Sequence, residues 1–446
     1  MKIIIAGAGE VGSHLAKMLS NENHDIVVID PEDERLRSID ASMDIMTVTG
    51  SATSIEILKE ANIKRTDLFI AVAHSEDTNI TAAILGKKLG AKTTIARIDN
   101  PEYLIPSHKD HFVTMGIDYL FYPEMIAARE VIGLLHQTGT TEFLDFSGGR
   151  LSLFVLKLDE NAPIINKTLI EVTNQNKPLD YRAVAITRNG KTIIPHGDDR
   201  FLVNDLVYVV STLSGYGEIM KYTGKEKLTL KNIMILGGSR IGRRIAKELE
   251  RQYNIKLIEI NREKCLQLAD FLEETLVING DGRDTGMLCE EGLRNMDAFI
   301  AVTGSSETNI LSCLFAKKIG VKKTIAEVEI LEYIGLAESS GVDTIINKKL
   351  VTASRIFRFT TSAKVSIVKY LTGSDAEVFE FVVKPEAKVT AGSLMEINFP
   401  KDAIVGGIIR GKSSFIAKGD TIIKPNDRVV VFALPSAISK IEKFFN

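Results

Sequence analysis

Apolar and polar positions change rhythm several times along the first 140 residues. Short, nearly unbroken apolar runs predict strands at Lys2–Ala6, Ile26–Ile29, Met46–Val48, Leu68–Val72 and Thr94–Arg97, with another near Tyr119. Between them, Gly12–Ser20, Pro31–Ser38, Ser54–Ala61 and Thr78–Leu89 space their apolar residues as helices do. Strands that are apolar on both faces, alternating with helices, predict a parallel sheet covered on each side. The next stretch reads differently. RLSLFVLKL, YRAVAITRNGKTIIPHGD and DLVYVV alternate, with Arg188-Asn189-Gly190-Lys191 as a hairpin turn. One helix is expected there, Leu169 to Asn174 at most.

The pattern then repeats. DLFIAVAHSEDTNITAAILGKKLGAKTTIARI from Asp67 and DAFIAVTGSSETNILSCLFAKKIGVKKTIAEV from Asp297 agree at 16 of 32 positions. The offset, 297 − 67 = 230, also carries Gly7 to Gly237 and Gly50 to Gly280. The tails match as well, PHGDDRFLVNDLVYVV with AKGDTIIKPNDRVVVF, at an offset of 420 − 198 = 222. The chain is therefore a tandem duplication. Its expected fold class is α/β: two doubly wound Rossmann-like parallel-sheet domains, each followed by a small α+β C-terminal domain. The expected domains are 1–140, 141–225, 226–360 and 361–446. Linkers are placed at Thr138-Gly139-Thr140-Thr141, at Ser214-Gly215-Tyr216-Gly217 through Lys227, and at Thr360-Thr361-Ser362.

Composition narrows the function classes. A length of 446 residues with 45% apolar content supports several packed cores. The net charge of −3 is spread evenly, which gives no support to nucleic acid or anionic lipid as a partner. No apolar run followed by a cleavage site opens the chain, and runs such as Leu68–Ala73 and Ala298–Val302 are strand-sized. A cytoplasmic location is expected, with any membrane contact made through a partner. Cys265, Cys289 and Cys313 lack metal-ligand spacing and read as reduced, buried thiols; no metal site is expected.

The chemistry concentrates in the glycine-rich loops. Gly7-Ala8-Gly9-Glu10-Val11-Gly12 follows a strand and opens a helix. The first glycine suits a tight turn, the second lets backbone approach a pyrophosphate, and the third allows close helix packing. Asp30 ends IVVID 18 residues past Gly12, where an acid would hydrogen-bond a ribose hydroxyl and repel a 2′-phosphate, favouring NAD over NADP. The remaining wall is expected from Gly50-Ser51-Ala52-Thr53, Ala73-His74 and Arg97, with Arg97 positioned to pair with phosphate. In the second copy the loop is Gly237-Gly238-Ser239-Arg240-Ile241, with Ser239 in place of the middle glycine, Glu259 in place of Asp30, and Thr303, Gly304 and Glu327 at the other strand ends. The charges at two positions are exchanged, since Glu10 and Arg97 become Arg240 and Glu327. Both copies are expected to bind nucleotide, with unequal preferences.

The order AGAGEVG, Asp30, GSATS, DLFIAV with DTNI, and TIARI, followed by R-N-G…P-H-G-D…N-D-L-V-Y-V, resembles the regulator-of-potassium-conductance (RCK) domains over essentially the whole chain. Two copies in one chain without a spanning segment resemble the regulatory subunits of Trk-type potassium uptake systems. The resemblance implies a cytoplasmic subunit on the inner face of the cell membrane, bound to a membrane potassium translocator of the Trk type. It implies a response to NAD(H) or to ATP against ADP, and a dimer of dimers whose N-terminal parts form an eight-domain ring. It assigns binding roles to Gly7–Val11, Asp30, Ala73, His74 and Arg97, and to Gly237–Ile241, Glu259, Thr303, Gly304 and Glu327. The helices after Tyr122-Pro123 and after Asn347 would exchange across an interface.

The rival class is an NAD-dependent oxidoreductase; a nucleotide-sensing module with another partner is a third reading. Hydride transfer needs an acid or base facing the nicotinamide. All seven histidines, at 14, 24, 74, 108, 111, 136 and 196, fall in the first half, and His74 is replaced by Gly304 in the second. No catalytic residue is assigned, and the expected role is a switch rather than an enzyme.

Overall fold

A computed structural model describes residues 1–20, 24–41, 43, 45–136, 142–147, 149–173, 180–212, 214–223, 229–357, 359, 365–370, 374 and 376–445. The first domain runs β1 (Lys2–Ala6), α1 (Glu10–Ser20), β2 (Asp25–Asp30), α2 (Asp33–Asp40), β3 (Met46–Thr49), α3 (Ile55–Glu60), β4 (Leu68–Ala71), α4 (Glu76–Leu89), β5 (Thr93–Arg97), α5 (Pro106–Met115), β6 (Tyr119–Phe121) and α6 (Pro123–His136). Its parallel sheet has the order β3-β2-β1-β4-β5-β6, so the strand order switches sides between β1 and β4, the point at whose carboxyl ends sheets of this kind open a crevice. β1 and β4 are buried along nearly their whole length, which is why they read as unbroken apolar runs. α5 escaped the sequence pattern because none of its residues is buried.

The first small domain contains β7 (Glu142–Phe146), β8 (Leu151–Lys157), α7 (Leu169–Thr173), β9 (Tyr181–Arg188), β10 (Lys191–Ile193), β11 (Leu206–Thr212) and α8 (Tyr216–Thr223). The hairpin between β9 and β10 turns on Asn189 and Gly190, both at positive φ (49° and 74°). α8 corrects the expectation of a single helix and, over Tyr216–Thr223, of a linker running from Ser214 through Lys227, whose last residues, 224–227, lie outside the described ones. Gly215-Tyr216-Gly217 looks like a breaker, but Gly215 O accepts the first helical bonds from Glu218 N and Ile219 N, and Ile219 is buried against the sheet. The boundaries placed at Thr138–Thr141 and at Thr360–Ser362, and Asn174 at the end of the expected helix, lie outside the described residues.

The second half repeats this plan: β12 (Asn232–Leu236), α9 (Arg240–Leu249), β13 (Asn254–Glu259), α10 (Arg262–Phe271), β14 (Leu276–Asn279), α11 (Thr285–Glu290), β15 (Ala298–Ala301), α12 (Ser306–Lys318), β16 (Lys323–Glu327), α13 (Glu332–Ser340), β17 (Thr344–Ile346) and α14 (Lys348–Phe357). The last domain holds β18 (Val365–Tyr370), β19 (Glu377–Val382), β20 (Ala403–Arg410), β21 (Ser413–Ile416), β22 (Arg428–Ala433) and α15 (Pro435–Phe445). The sheet orders β14-β13-β12-β15-β16-β17 and β18-β19-β22-β20-β21 reproduce those of the first half.

Contacts divide the chain into two compact units, residues 1–126 with 348–360 and residues 127–347 with 361–446. The cut passes through α6 and just ahead of α14. In the first unit α14, which continues β17 of the second copy, packs on α1 of the first. In the second unit Ala127, Val131 and Leu134 of α6 are fully buried among Ile245, Leu249 and Leu257. The two small sheets also share one core in this unit, where Leu153, Val184 and Tyr208 meet Ile409, Val430 and Phe432.

His14 lies on α1, and its Nε2 is buried without a hydrogen-bond partner. Burial, with Lys349 of α14 and Lys17 nearby, pulls it from 6.5 to about 4. The folded protein therefore takes up this proton less readily than the unfolded chain. The stability tied to neutral His14 is complete above pH 6.5 and is lost as pH falls towards 4, by up to about 1.4 kcal/mol per pH unit. Urea midpoints across that window should fall less steeply in His14→Leu than in the parent, and Lys349→Gln should move the lower edge of the window upward.

Candidate functional site

The crevice of the first domain is organised by Gly7 and Gly12. Gly7 adopts φ +114°, and a Cβ there would stand 2.7 Å from Ala73 N. At Gly12 a Cβ would fall 1.8 Å from Gly7 O, so only glycine lets α1 begin this close to β1. Gly9 is different, because a Cβ there would meet no protein atom within 4 Å. The fold does not require that glycine, and open space lies above the helix start. Asp30, almost fully buried, holds the loop from the next strand, accepting from Ala8 N (2.6 Å) and Glu32 N (2.9 Å). Both of its oxygens are engaged, each with one lone pair still available to a hydroxyl.

The other walls are where the strand ends put them. Ser51 and Thr53 join their hydroxyls at 2.8 Å on the exposed turn after β3, and Ala52 is buried beneath it. His74 is exposed beside Ala73. Arg97 does not stand free for a phosphate: its guanidinium lies 3.3 Å from Asp99 and 3.7 Å from Glu124, while its Nε is buried without a partner.

Sequence reasoning quoted Asn79 within DTNI without giving it a role. The side chain is buried at the start of α4. Its Oδ1 accepts from Ala73 N (2.7 Å), and its Nδ2 donates to Ala73 O (3.0 Å) and Arg97 O (3.2 Å). It ties the ends of β4 and β5 into one rim. Asn309 does the same for Thr303 and Glu327 in the second copy, with the longest of three bonds at 3.1 Å.

The second crevice, about 380 Å³, has the same walls and a different electrostatic character. Gly237 (φ +104°) and Gly242 repeat the close approach, and Glu259 accepts from Gly238 N and Asn261 N, both at 2.9 Å. Burial pushes the Glu259 carboxyl up, but these two N–H groups and Lys264, 3.3 Å away, outweigh it and hold the pKa below the ordinary value. Ser239 caps α9, accepting from Gly242 N at 3.2 Å, so one of the free N–H groups at this helix start is already used. The turn that answers 50–53 is Gly280-Asp281-Gly282-Arg283, which the 230 offset predicts once it is applied there. Hydrogen bonds from Arg283 draw the Asp281 carboxyl down to about 2. Thr303 and Gly304 line the far side.

A third charge joins the reversal of Glu10 and Arg97 into Arg240 and Glu327. Ile98 N bonds Phe121 O just as Val328 N bonds Ile346 O, which aligns Glu124 with Lys349. All three positions therefore change sign between the copies. In the first unit the exchanged helix brings Lys349 within 3.3 Å of Glu10, at the mouth of the glycine loop. This contact was invisible in the sequence because it spans more than 300 residues.

Two of the three cysteines sit in environments that disfavour the thiolate. Cys313 is fully buried and Cys265 nearly so, and burial raises both thiols above the ordinary value; Cys289 is partly buried. No cluster of metal-ligating side chains occurs among the described residues. Within the same residues, no helix is long and apolar enough to cross a membrane.

Comparison with known proteins places this architecture. The TrkA-N domain model matches residues 3–123 and again 233–348, and the TrkA-C domain model matches 153–224 and 378–446. The chain belongs to the TrkA family. The Trk system potassium uptake protein TrkA homolog of Archaeoglobus fulgidus is 34% identical over the full length of both chains. The TrkA of Vibrio alginolyticus is 32% identical over all of this chain and 98% of its own. Among solved structures, the GsuK RCK domain superposes with a TM-score of 0.62 at 17% identity, covering 100% of this chain and 94% of that one. The GsuK channel bound to NAD gives 0.62 over 78% of its length. At that identity the likeness establishes the fold, in which TrkA-N and TrkA-C domains alternate as RCK domains do.

The glycines separate folding from ligand space. Gly12→Ala should cost about 1–3 kcal/mol through overpacking against Gly7, and Gly9→Ala should stay within about 0.5 kcal/mol of the parent, both measured by urea denaturation. Asn79→Ala, which strands three backbone groups at the rim, should cost about 2 kcal/mol or more in the same assay.

Proposed function

We propose that the chain is the nucleotide-binding regulatory subunit of a Trk-type potassium uptake system, acting on a membrane translocator through NAD(H)- or ATP/ADP-dependent rearrangement of an RCK ring. The observation that carries the reading is the placement of α14. This helix continues the sheet of the second nucleotide domain, yet it packs on α1 of the first and sets Lys349 beside Glu10 at the glycine loop. A phosphate entering above Gly9 meets a cation that belongs to the other half of the chain. The binding residues in this reading are Gly7–Gly12, Asp30, Gly50–Thr53, Ala73, His74 and Arg97 in the first copy. In the second they are Gly237–Ile241, Glu259, Thr303, Gly304 and Glu327, joined by the turn at 280–283.

Family relatives named as Trk potassium uptake proteins support the transport role, and GsuK, whose structures include NAD-bound and ADP-bound forms, supports the nucleotide class. The mechanism is differential affinity. A nucleotide that prefers one ring geometry tenfold shifts the population by about 1.4 kcal/mol and no more. Arg97 contributes by leaving or keeping Asp99 and Glu124, since a phosphate would compete for the same guanidinium. The two sites respond unequally, because Ser239 and the pairs Lys264–Glu259 and Arg283–Asp281 already satisfy groups that a phosphate would otherwise take. The subunit works as a cytoplasmic dimer of dimers, held at the membrane by its translocator.

Potassium flux through the reconstituted translocator should change when NADH, NAD, ATP or ADP is exchanged in the presence of this chain. Gly9→Ala, with its fold intact, should reduce that response about tenfold or more by moving the overpacking cost from folding to binding. Flux indifferent to every nucleotide would overturn the switch, and turnover of NADH with a small substrate would favour the oxidoreductase instead.

A further inference from the structure

The first small domain contains a cavity of about 320 Å³ between its sheet and helices α7 and α8. Its body is apolar, with Leu156, Val172, Phe201, Val209 and Ile219 on the walls. Its charged lining is of one sign: Arg182 and Lys418 line it, and no Asp or Glu does among the described residues. Tyr181–Ala183 line it at the start of β9, while among the described residues β10 pairs with Ile186–Arg188 further along that strand. There Arg182 donates from Nη1 to Ala417 O at 2.7 Å, the one hydrogen bond its side chain makes among the described residues. Burial lowers the pKa of this guanidinium, the signature of a cation short of counter-charge.

The duplication supplies a control for whether such a space is merely what this fold leaves behind. The ladders align the two domains residue by residue: Leu156 pairs with Val207 as Phe381 pairs with Val429, and Arg182 pairs with Val210 as Ile404 pairs with Phe432. In the second domain Phe381 stacks on Phe445 of α15 at 4.3 Å and 8°, filling the region between sheet and helix. The first domain has Leu156 in place of Phe381, Thr223 at the position of Phe445, and Arg182 in place of Ile404. Two phenyl rings thus occupy the sheet–helix region of the second domain where the first has Leu156 on the cavity wall, while Ile404, the counterpart of Arg182, packs into the core between the two small sheets.

We propose that this cavity is a binding site for a small monocarboxylate with a hydrocarbon body, the chain or ring lying against Leu156, Val209 and Ile219 and the carboxylate meeting Arg182. The volume is at the lower end for small-molecule sites, which suits one short chain or ring rather than a nucleotide. The guanidinium offers a planar pair of donors to a carboxylate, and Lys418 adds charge from the neighbouring domain. The proposal does not depend on the nucleotide reading and can fail without it.

The test is saturation-transfer NMR on the full chain with 3-phenylpropionate and octanoate against the matched alcohols, 3-phenylpropanol and octanol. The acids should bind about tenfold more tightly than the alcohols. Arg182→Leu should remove that preference while alcohol binding remains. Leu156→Phe, which imports the filling of the second domain, should abolish both. If Arg182→Leu proves too unstable, Lys418→Gln on the exposed rim should weaken the acids two- to threefold, a value of about that size being usual for one exposed charge. Equal binding of acids and alcohols, acid binding unchanged in Arg182→Leu or in Leu156→Phe, or no binding of either up to about 10 mM would each overturn the assignment.

Discussion

The contact between Gly12 and the carbonyl of Gly7 sets the position of everything at the first crevice. A helix starting one methyl group further away would aim its free N–H groups past the strand end. Asp30 would then lose Ala8 N, and α14 would find a displaced surface in α1. Gly242 and Gly237 impose the same constraint in the second copy, where a Cβ would fall 2.1 Å from Gly237 O. Asn79 and Asn309 close each crevice from the opposite side by lacing two strand ends together. These glycines and asparagines are kept in both copies because they shape the space, whatever fills it.

What has changed between the copies is charge. Glu10, Arg97 and Glu124 stand against Arg240, Glu327 and Lys349, and the two pairs the first unit shows, Arg97 with Glu124 and Glu10 with Lys349, are each of opposite sign. Such a reversal works against like copies placed together, because Glu10 would then face another glutamate where it now faces Lys349. Shape is thus shared and electrostatics divided. One chain can hold two sites of the same form with different resident partners.

Much of the fold was legible in the sequence. β1 has the expected limits and the other strands of the first sheet differ by one or two residues, because burial on both faces leaves only apolar side chains in a parallel strand. The hairpin at Asn189-Gly190 was legible for a local reason, since both positions need positive φ. α5 was not, because an exposed helix has no apolar stripe. α8 was hidden by two glycines that start the helix rather than break it. At the sites, glycine spacing and the acid at the end of the second strand were readable as motifs. The lacing role of Asn79, the pairing of Arg97 with Glu124 and the approach of Lys349 depend on tertiary contacts that no local pattern encodes.

The exchanged helices have a further consequence. In a complex of separate chains, a helix lent to a neighbour is lost on dilution, and the partnership depends on how much protein is present. Here lender and borrower are one polypeptide, so α14 reaches α1 at an effective concentration fixed by the connecting chain. The exchange is therefore indifferent to expression level, and its ratio of one first copy to one second copy is written into the gene rather than set by assembly.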